Sequence, residues 1–273
     1  MHTIGVVEIE GTVVVVTGGA SGIGRALARR FHADGARGIV VADRDRDGAV
    51  AVAAELDASR PGSALAVACD VGLDAEVAAL VRSAEDAFGA IDLFCANAGI
   101  GVGTGPETPD EAWDLIWHVN VMAHVFAARH LLPGWLARGK GYFLATASAA
   151  GLLSQIGSAP YAVTKHGAVA FAEWLSITYG DRGVRVSCLC PQGVNTNMLN
   201  GGVDSAAGDV VKLAGVVMEP EDVASVVVET IRAERFLALP HPEVLTYLQR
   251  KTADYDRWLS GMRRLQARVI APP

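Results

Sequence analysis

Short runs rich in β-branched residues recur along this chain, each followed by a longer stretch with apolar residues at three- and four-residue spacing. Few folds accommodate that alternation. A short run apolar on both faces belongs in a parallel sheet, and parallel neighbours need a helical crossover between them. The strand-like runs are Thr12–Thr17, Gly38–Asp43, Ala64–Cys69, Leu93–Ala96, Gly141–Ser148, Arg185–Cys190 and Phe236–Leu239; the helical stretches are 22–34, 45–58, 73–88, 109–138, 159–181 and 220–233. The pattern predicts an α/β fold, a single doubly wound domain over 1–273 with a seven-stranded parallel sheet in a core at 10–240 and helices on both faces. Residues 192–218 are too long for an ordinary connection and read as a flap over a substrate or as an irregular insertion. Residues 241–273 form a tail with one amphipathic helix near Glu243–Arg257.

A chain of 273 residues, 51% hydrophobic and 19% charged, has enough apolar material for a large core. The net charge of −7 is spread without long runs of one sign, so no basic face is available for nucleic acid or an anionic membrane. Apolar runs such as Val13–Val16 are far shorter than the roughly 20 residues of a bilayer span. The first ten residues lack the basic and apolar regions of an export signal, and the expected address is cytoplasmic. Cys69, Cys95, Cys188 and Cys190 lie in strand-like runs, where a thiol behaves as a small core hydrophobe. No metal site is expected.

The first strand runs into Thr17-Gly-Gly-Ala-Ser-Gly-Ile-Gly24 and then directly into a helix. Gly18, Ser21, Gly22, Ile23 and Gly24 thus form a turn whose backbone N–H groups and helix N-terminus can face a pyrophosphate. Asp43 closes the second strand, where a carboxylate accepts hydrogen bonds from ribose hydroxyls and repels a 2′-phosphate, which favours NAD over NADP. Arg44 and Arg46 pull the other way, since a guanidinium there binds that phosphate. Asp70 and Val71 end the third strand, either flanking an adenine or making a turn. Asn97, Ala98 and Gly99 follow the fourth, small enough for a cofactor to cross the sheet edge.

Tyr161 and Lys165 stand one helical turn apart, and Ser148 lies thirteen positions upstream. An ammonium beside the phenol is expected to lower the tyrosine pKa toward working pH, as a general acid/base for an alcohol or ketone requires. The bland alternative is an exposed tyrosine packed on a lysine stem. Ser148 equally suits a strand-end cap, and Asn120 a helix kink. His118 and His166, close to these positions, read as helix-surface residues.

Taken in order, T-G-x-x-x-G-x-G, Asp43, Asn97-Ala-Gly99, Asn120, Ser148 and Tyr161-x-x-x-Lys165 resemble the short-chain dehydrogenase/reductase family over roughly residues 10–240. The resemblance implies a Rossmann-like sheet in the order 3-2-1-4-5-6-7, a nicotinamide cofactor and often a homotetramer built through two long helices, matched here by 109–138 and 159–181; a homodimer is the alternative. It also implies the site roles. Tyr161 resembles the catalytic acid/base, Lys165 the residue that tunes it and binds the nicotinamide ribose, Ser148 the partner of the substrate oxygen, and Asn120 the holder of a water linking Lys165 to solvent. Pro191, Val194 and Thr196 resemble the stretch that contacts the nicotinamide, with Gln192 standing where glycine is usual. The expected reaction is hydride transfer between NAD(H) and a secondary alcohol or ketone. Alternatives are an NADPH-dependent carbonyl reductase and a noncatalytic nucleotide-binding redox sensor. A pocket bounded by Ala149, Ala150, Leu152, Leu153, the Gly101–Thr108 loop and the flap at Asn197–Leu213 points to a hydrophobic small-molecule substrate.

Overall fold

The computed structural model describes residues 8–201, 208, 210–211 and 215–269. Seven strands form one parallel sheet in the order β3-β2-β1-β4-β5-β6-β7, as the sequence implied. They are β1 (Val13–Thr17), β2 (Gly38–Asp43), β3 (Ala64–Ala68), β4 (Leu93–Ala96), β5 (Gly141–Thr146), β6 (Val184–Leu189) and β7 (Leu237–Ala238). Helices α1 (Gly22–Ala33), α2 (Arg46–Ser59) and α8 (Pro220–Arg232) belong with one face; α3 (Asp74–Phe88), α5 (Ala123–Arg138) and α6 (Ala159–Tyr179) belong with the other.

Strand β1 shows why the sheet is central. Val13 and Val15 enter the cluster holding Phe94, Phe143, Trp135 and Leu175. Val14 and Val16 enter the opposite one with Leu27, Phe31, Ile39 and Val227. Alternate residues of a strand point to opposite faces, so a run of four valines is a strand buried on both sides.

Two helical expectations need correction. The stretch 109–138 is not one helix: α4 (Asp110–Trp117) passes into a π-helical turn, His118–Met122, before α5. The buried side chain of Asn120 explains it. Its Oδ1 accepts from Ile100 N and its Nδ2 donates to Ile100 O, both at 2.9 Å, so the amide pairs with a loop as a strand would and the helix opens to let it reach. The tail holds two helices rather than one, α9 (Glu243–Ala253) and α10 (Tyr255–Val269), broken at Asp254 where the backbone turns extended. Both helices contribute to a small cluster: Val244, Tyr247, Leu248 and Trp258 gather round Ala149 and Leu153. Of the expected flap, α7 (Asn197–Gly201) is helical, while 202–207, 209 and 212–214 lie outside the described residues.

Candidate active site

The carboxyl ends of β1 to β6 open onto one cleft of about 750 Å³. It lies where the strand order reverses between β1 and β4, the usual ligand position in an open α/β sheet.

On one side, the turn after β1 is packed too closely for side chains. Gly18 has φ +67°, and a Cβ there would stand 2.9 Å from Ala98 Cα; Gly22, at φ +51°, would put one 3.0 Å from Thr196 Cγ2. A Cβ on Gly24 would run into the Gly18 carbonyl. The first turn of α1 is therefore seated directly on the strand end, leaving a cradle bounded by backbone. Asp43 fixes the neighbouring wall: its Oδ2 accepts from Ala20 N and its Oδ1 from Asp45 N, both at 3.0 Å. Asp70 shows its turn-forming role, with Oδ1 accepting from Gly72 N at 2.8 Å, and it lines the cleft as well.

Thr17 is the clip between β1 and β4, a role that no pattern in the sequence marks. Its hydroxyl donates to Cys95 O (3.2 Å) and accepts from Asn97 N (2.9 Å) and Ala98 N (3.1 Å), while Asn97 Nδ2 donates to Thr17 O (3.0 Å). This holds Asn97-Ala-Gly99 against the glycine turn.

On the other side stand Ser148, Tyr161 and Lys165. Ser158 caps α6: its Oγ accepts from Tyr161 N (3.4 Å) and donates to Gly103 O (2.9 Å), so the same residue sets the helix start and the Gly101–Thr108 loop. Ser148 Oγ donates to Pro191 O at 3.4 Å, and the serine stands close enough to Tyr161 to favour its phenolate. Lys165 Nζ lies 5.6 Å from the Tyr161 ring centroid and donates to Thr146 O at 3.1 Å. Ser148 Oγ accepts from Ala150 N at 3.1 Å, so its cap role and its contact with Tyr161 coexist.

The electrostatics differ from expectation. Lys165 does not depress the tyrosine pKa in this structure. Burial raises Tyr161 above the ordinary phenol value, and the Ser148 hydroxyl is what opposes the rise. Burial also lowers Lys165, to about 8. Desolvation is the leading cause for both groups, because burial penalises the charged form of each.

Every expected cofactor residue lines this cleft: the glycine turn, Asp43, Arg44, Asp70, Val71, Asn97, Ala98, Gly99, Pro191, Val194 and Thr196. Asn120 does not. It is fully buried behind Gly99, and Nδ2 reaches Thr164 Oγ1 at 3.2 Å. The expected pocket wall is also corrected: Ala149, Ala150, Leu152 and Leu153 are not part of the lining. They sit in or beside the short turn after Ser148, where Ala149 and Leu153 face the tail cluster and Lys251 Nζ donates to Leu152 O at 2.7 Å. The lining does include Val102 of the expected loop and Met198, Leu199 and Val211 of the expected flap, together with Leu115, Gln155, Gly157 and Gln192. Pocket walls are set by loop curvature, which residue type alone does not reveal. His118 and His166 are exposed, with Nδ1 against Asp114 O (2.9 Å) and Ala162 O (2.8 Å). All four cysteines are buried and unbridged, and no metal-ligand cluster occurs among the described residues.

Comparison with known proteins agrees with this geometry. The chain is 38% identical over 259 residues to 1-deoxy-11-beta-hydroxypentalenate dehydrogenase of Streptomyces exfoliatus, covering 93% of this chain and 91% of that protein. It is 35% identical over 223 residues to meso-2,3-butanediol dehydrogenase of Serratia marcescens, covering 80% and 86%. A solved short chain dehydrogenase/reductase of Burkholderia phymatum in complex with NAD superposes with a TM-score of 0.84 at 30% identity, covering 92% of this chain and 96% of that one. Residues 12–205 match the family described as short chain dehydrogenase, and with the cradle, the sheet order and the Ser148–Tyr161–Lys165 set in one cleft, the chain belongs to the short-chain dehydrogenase/reductase family.

Proposed function

We propose that this protein is an NAD(H)-linked oxidoreductase that interconverts a hydrophobic secondary alcohol and its ketone. The observation that carries the reading is that Ser148, Tyr161 and, one turn along, Lys165 line the same cleft as the glycine cradle. The cradle suits a dinucleotide because its pyrophosphate can approach only where side chains are missing. Gly18, Ser21, Gly22, Ile23 and Gly24 would hold the pyrophosphate, Asp43 the adenosine ribose, Asp70 and Val71 the adenine, and Asn97, Ala98, Gly99, Pro191, Val194 and Thr196 the nicotinamide half. Nicotinamide, when bound, supplies the hydride acceptor or donor.

Tyr161 moves the proton of the substrate oxygen. In oxidation its phenolate takes the hydroxyl proton; in reduction its phenol donates to the carbonyl oxygen. Ser148 donates a hydrogen bond to the same oxygen and steadies the charge that develops there. Burial raises Tyr161, so the phenol form dominates near neutral pH, which serves reduction. Lys165, beside the Tyr161 ring, would hold the nicotinamide ribose, and Asn120 keeps the loop at Ile100 in place behind it.

Several features support NAD over NADP and a neutral substrate. Asp43 sits where a 2′-phosphate would be repelled, and the Burkholderia phymatum relative holds NAD. Beyond Lys165, the substrate side is lined by apolar and amide groups, without a guanidinium to clamp a carboxylate among its described residues. Arg44 lines the cleft and favours the second reading, an NADPH-dependent carbonyl reductase. Side-by-side KM values for NADH and NADPH decide between them, and a strong NADPH preference rejects the reading of Asp43. A cytoplasmic address fits the four unbridged thiols.

Tyr161→Phe is the direct test. Turnover of secondary alcohols and ketones, followed by NADH absorbance, should fall by about 10²–10⁴-fold while NADH binding is kept. Retained turnover in a contamination-checked preparation rejects the mechanism.

A further inference from the structure

Gln192 is an odd side chain for its place. It follows Pro191 at the carboxyl end of β6 and lines the substrate side of the cleft, among Leu115, Met198, Leu199 and Val211. Its backbone is held fast: Gln192 N donates to His241 Nδ1 at 3.1 Å, and His241 Nε2 donates to Val216 O at 3.1 Å. One neutral, buried imidazole thus ties the loop after β6 to the segment at the far end of the flap. The side chain, by contrast, is incompletely used. Its Oε1 is buried and has no hydrogen-bond partner.

A buried amide oxygen without a donor is costly, and structures retain such groups where a ligand or strain accounts for them. The neighbourhood shows how this one is relieved. Glu243 Oε1 lies 3.1 Å, and both terminal atoms of Gln192 lie 3.8 Å, from the position a Cβ on Gly215 would occupy. The carboxylate and the amide therefore share one small space at the wall of the cleft. The last torsion of glutamine is broad and two-fold, so a half turn exchanges oxygen and nitrogen at little cost. Such a turn would take Oε1 out of its partnerless position, let Nε2 donate to the Glu243 carboxylate, a charged acceptor, and leave Oε1 to accept from a ligand in the cleft.

We propose that Gln192 is a specificity residue: its amide oxygen, with Nε2 anchored on Glu243, accepts a hydrogen bond from a second hydroxyl of an otherwise apolar carbinol substrate. The proposal rests on the oxidoreductase reading above and narrows its substrate class to hydrophobic diols and hydroxyketones. An acceptor in a cleft whose lining includes Met198, Leu199 and Val211 discriminates, because a substrate lacking the donor leaves the oxygen unpaired.

The test uses cyclohexanol and the 1,2-, 1,3- and 1,4-cyclohexanediols, oxidised with NAD by the wild-type protein, by Gln192→Met, which keeps the length of the side chain and removes the acceptor, and by Glu243→Ala. Wild-type protein should favour at least one diol over cyclohexanol by about tenfold in kcat/KM. Q192M should lose about tenfold of that ratio, and E243A part of it; NADH affinity, read by fluorescence titration, should stay within about twofold in both. If Q192M fails to fold, the ratio in E243A carries the test. A wild-type protein that oxidises these alcohols without preferring any diol overturns this proposal alone, as does a variant pair that keeps the full preference. Weakened NADH binding with the ratio intact also overturns it, assigning the amide to the cofactor. Failure to oxidise any of the four alcohols overturns the oxidoreductase reading, and this proposal with it.

Discussion

Lys165 and His124 are both buried bases, and burial acts on them in the same direction. Lys165 is 3% exposed with its pKa lowered to about 8, chiefly by desolvation. Its unfolded value is 10.5, so between those limits the unfolded chain binds the extra proton and stability rises with pH. The lowered value corresponds to about 3 kcal/mol of folding free energy lost at neutral pH. Lys165→Met should therefore melt above the wild type at pH 7, with the gap narrowing as pH rises from 8 toward 10; thermal melts of the cofactor-free protein at both pH values check it. His124 lies at the start of α5, edge-on to Phe143, with the Ala96 backbone as the polar group that favours its charged form and no well-formed hydrogen bond to either ring nitrogen. Desolvation, then the nearby Lys165, lower it to about 3. Below its ordinary 6.5 the unfolded state takes a proton that the folded state refuses, so stability is lost as pH falls from 6.5 toward 3. His124→Leu removes that dependence and two unpaired nitrogens together. We expect it to raise stability at pH 7 by about 1–3 kcal/mol and more at pH 5, read by urea titration at the two pH values. Nothing around His124 in the sequence separates it from the surface histidines His118 and His166, because what differs is the sheet packed against it.

The junction of elements decides how well the cleft is formed, and Thr17 shows this most clearly. Its hydroxyl makes three hydrogen bonds that fasten the end of β4 to the end of β1. Thr17→Val keeps the shape and β-branching but leaves the backbone N–H groups of Asn97 and Ala98 without that acceptor. A loss of about 1–3 kcal/mol in stability is expected, with NADH affinity falling because Asn97 and Gly18 no longer stay in register; calorimetry and fluorescence titration measure the two. An unchanged affinity would show that the clip is structural alone. The same junctions explain what the sequence disclosed. Strands β2 and β4 were legible to the residue, because runs buried on both faces carry no competing pattern. Neighbouring strands were misplaced only at their ends. The π-helical turn was hidden because its cause, the pairing of Asn120 with Ile100, spans twenty positions. The break at Asp254 was hidden too, since α9 and α10 both carry apolar stripes and only the extended backbone of that residue interrupts the helix.

At the scale of the molecule, the uncovered apolar surface gathers on α6. Val163, Trp174 and Ile177 lie on one stripe of that helix and are 49%, 52% and 84% exposed, and Trp117, 40% exposed, borders Gly167 beside them. The opposite side of α6 carries Ala168, Ala172 and Leu175 into the core. A helix apolar around most of its circumference is normally covered on both sides, and an exposed apolar stripe of this kind marks an interaction surface. The sequence showed α6 as long and apolar but not which residues faced outward, since Val163 and Leu175 are alike in type and differ only in what the sheet leaves for them. We expect copies of this chain to associate through that stripe, as the family resemblance implies for the helix. The double substitution Trp174→Glu with Ile177→Glu puts four like charges into one two-fold contact. Light scattering after size-exclusion chromatography should then report one subunit mass in place of two or four. The active-site groups lie on the first turns of α6, two helical turns or more from these positions, so NADH binding by the dissociated subunit separates loss of assembly from loss of fold. A wild-type protein that elutes as a monomer, or a double variant that stays assembled, would place the contact elsewhere and leave the exposed tryptophans to another partner.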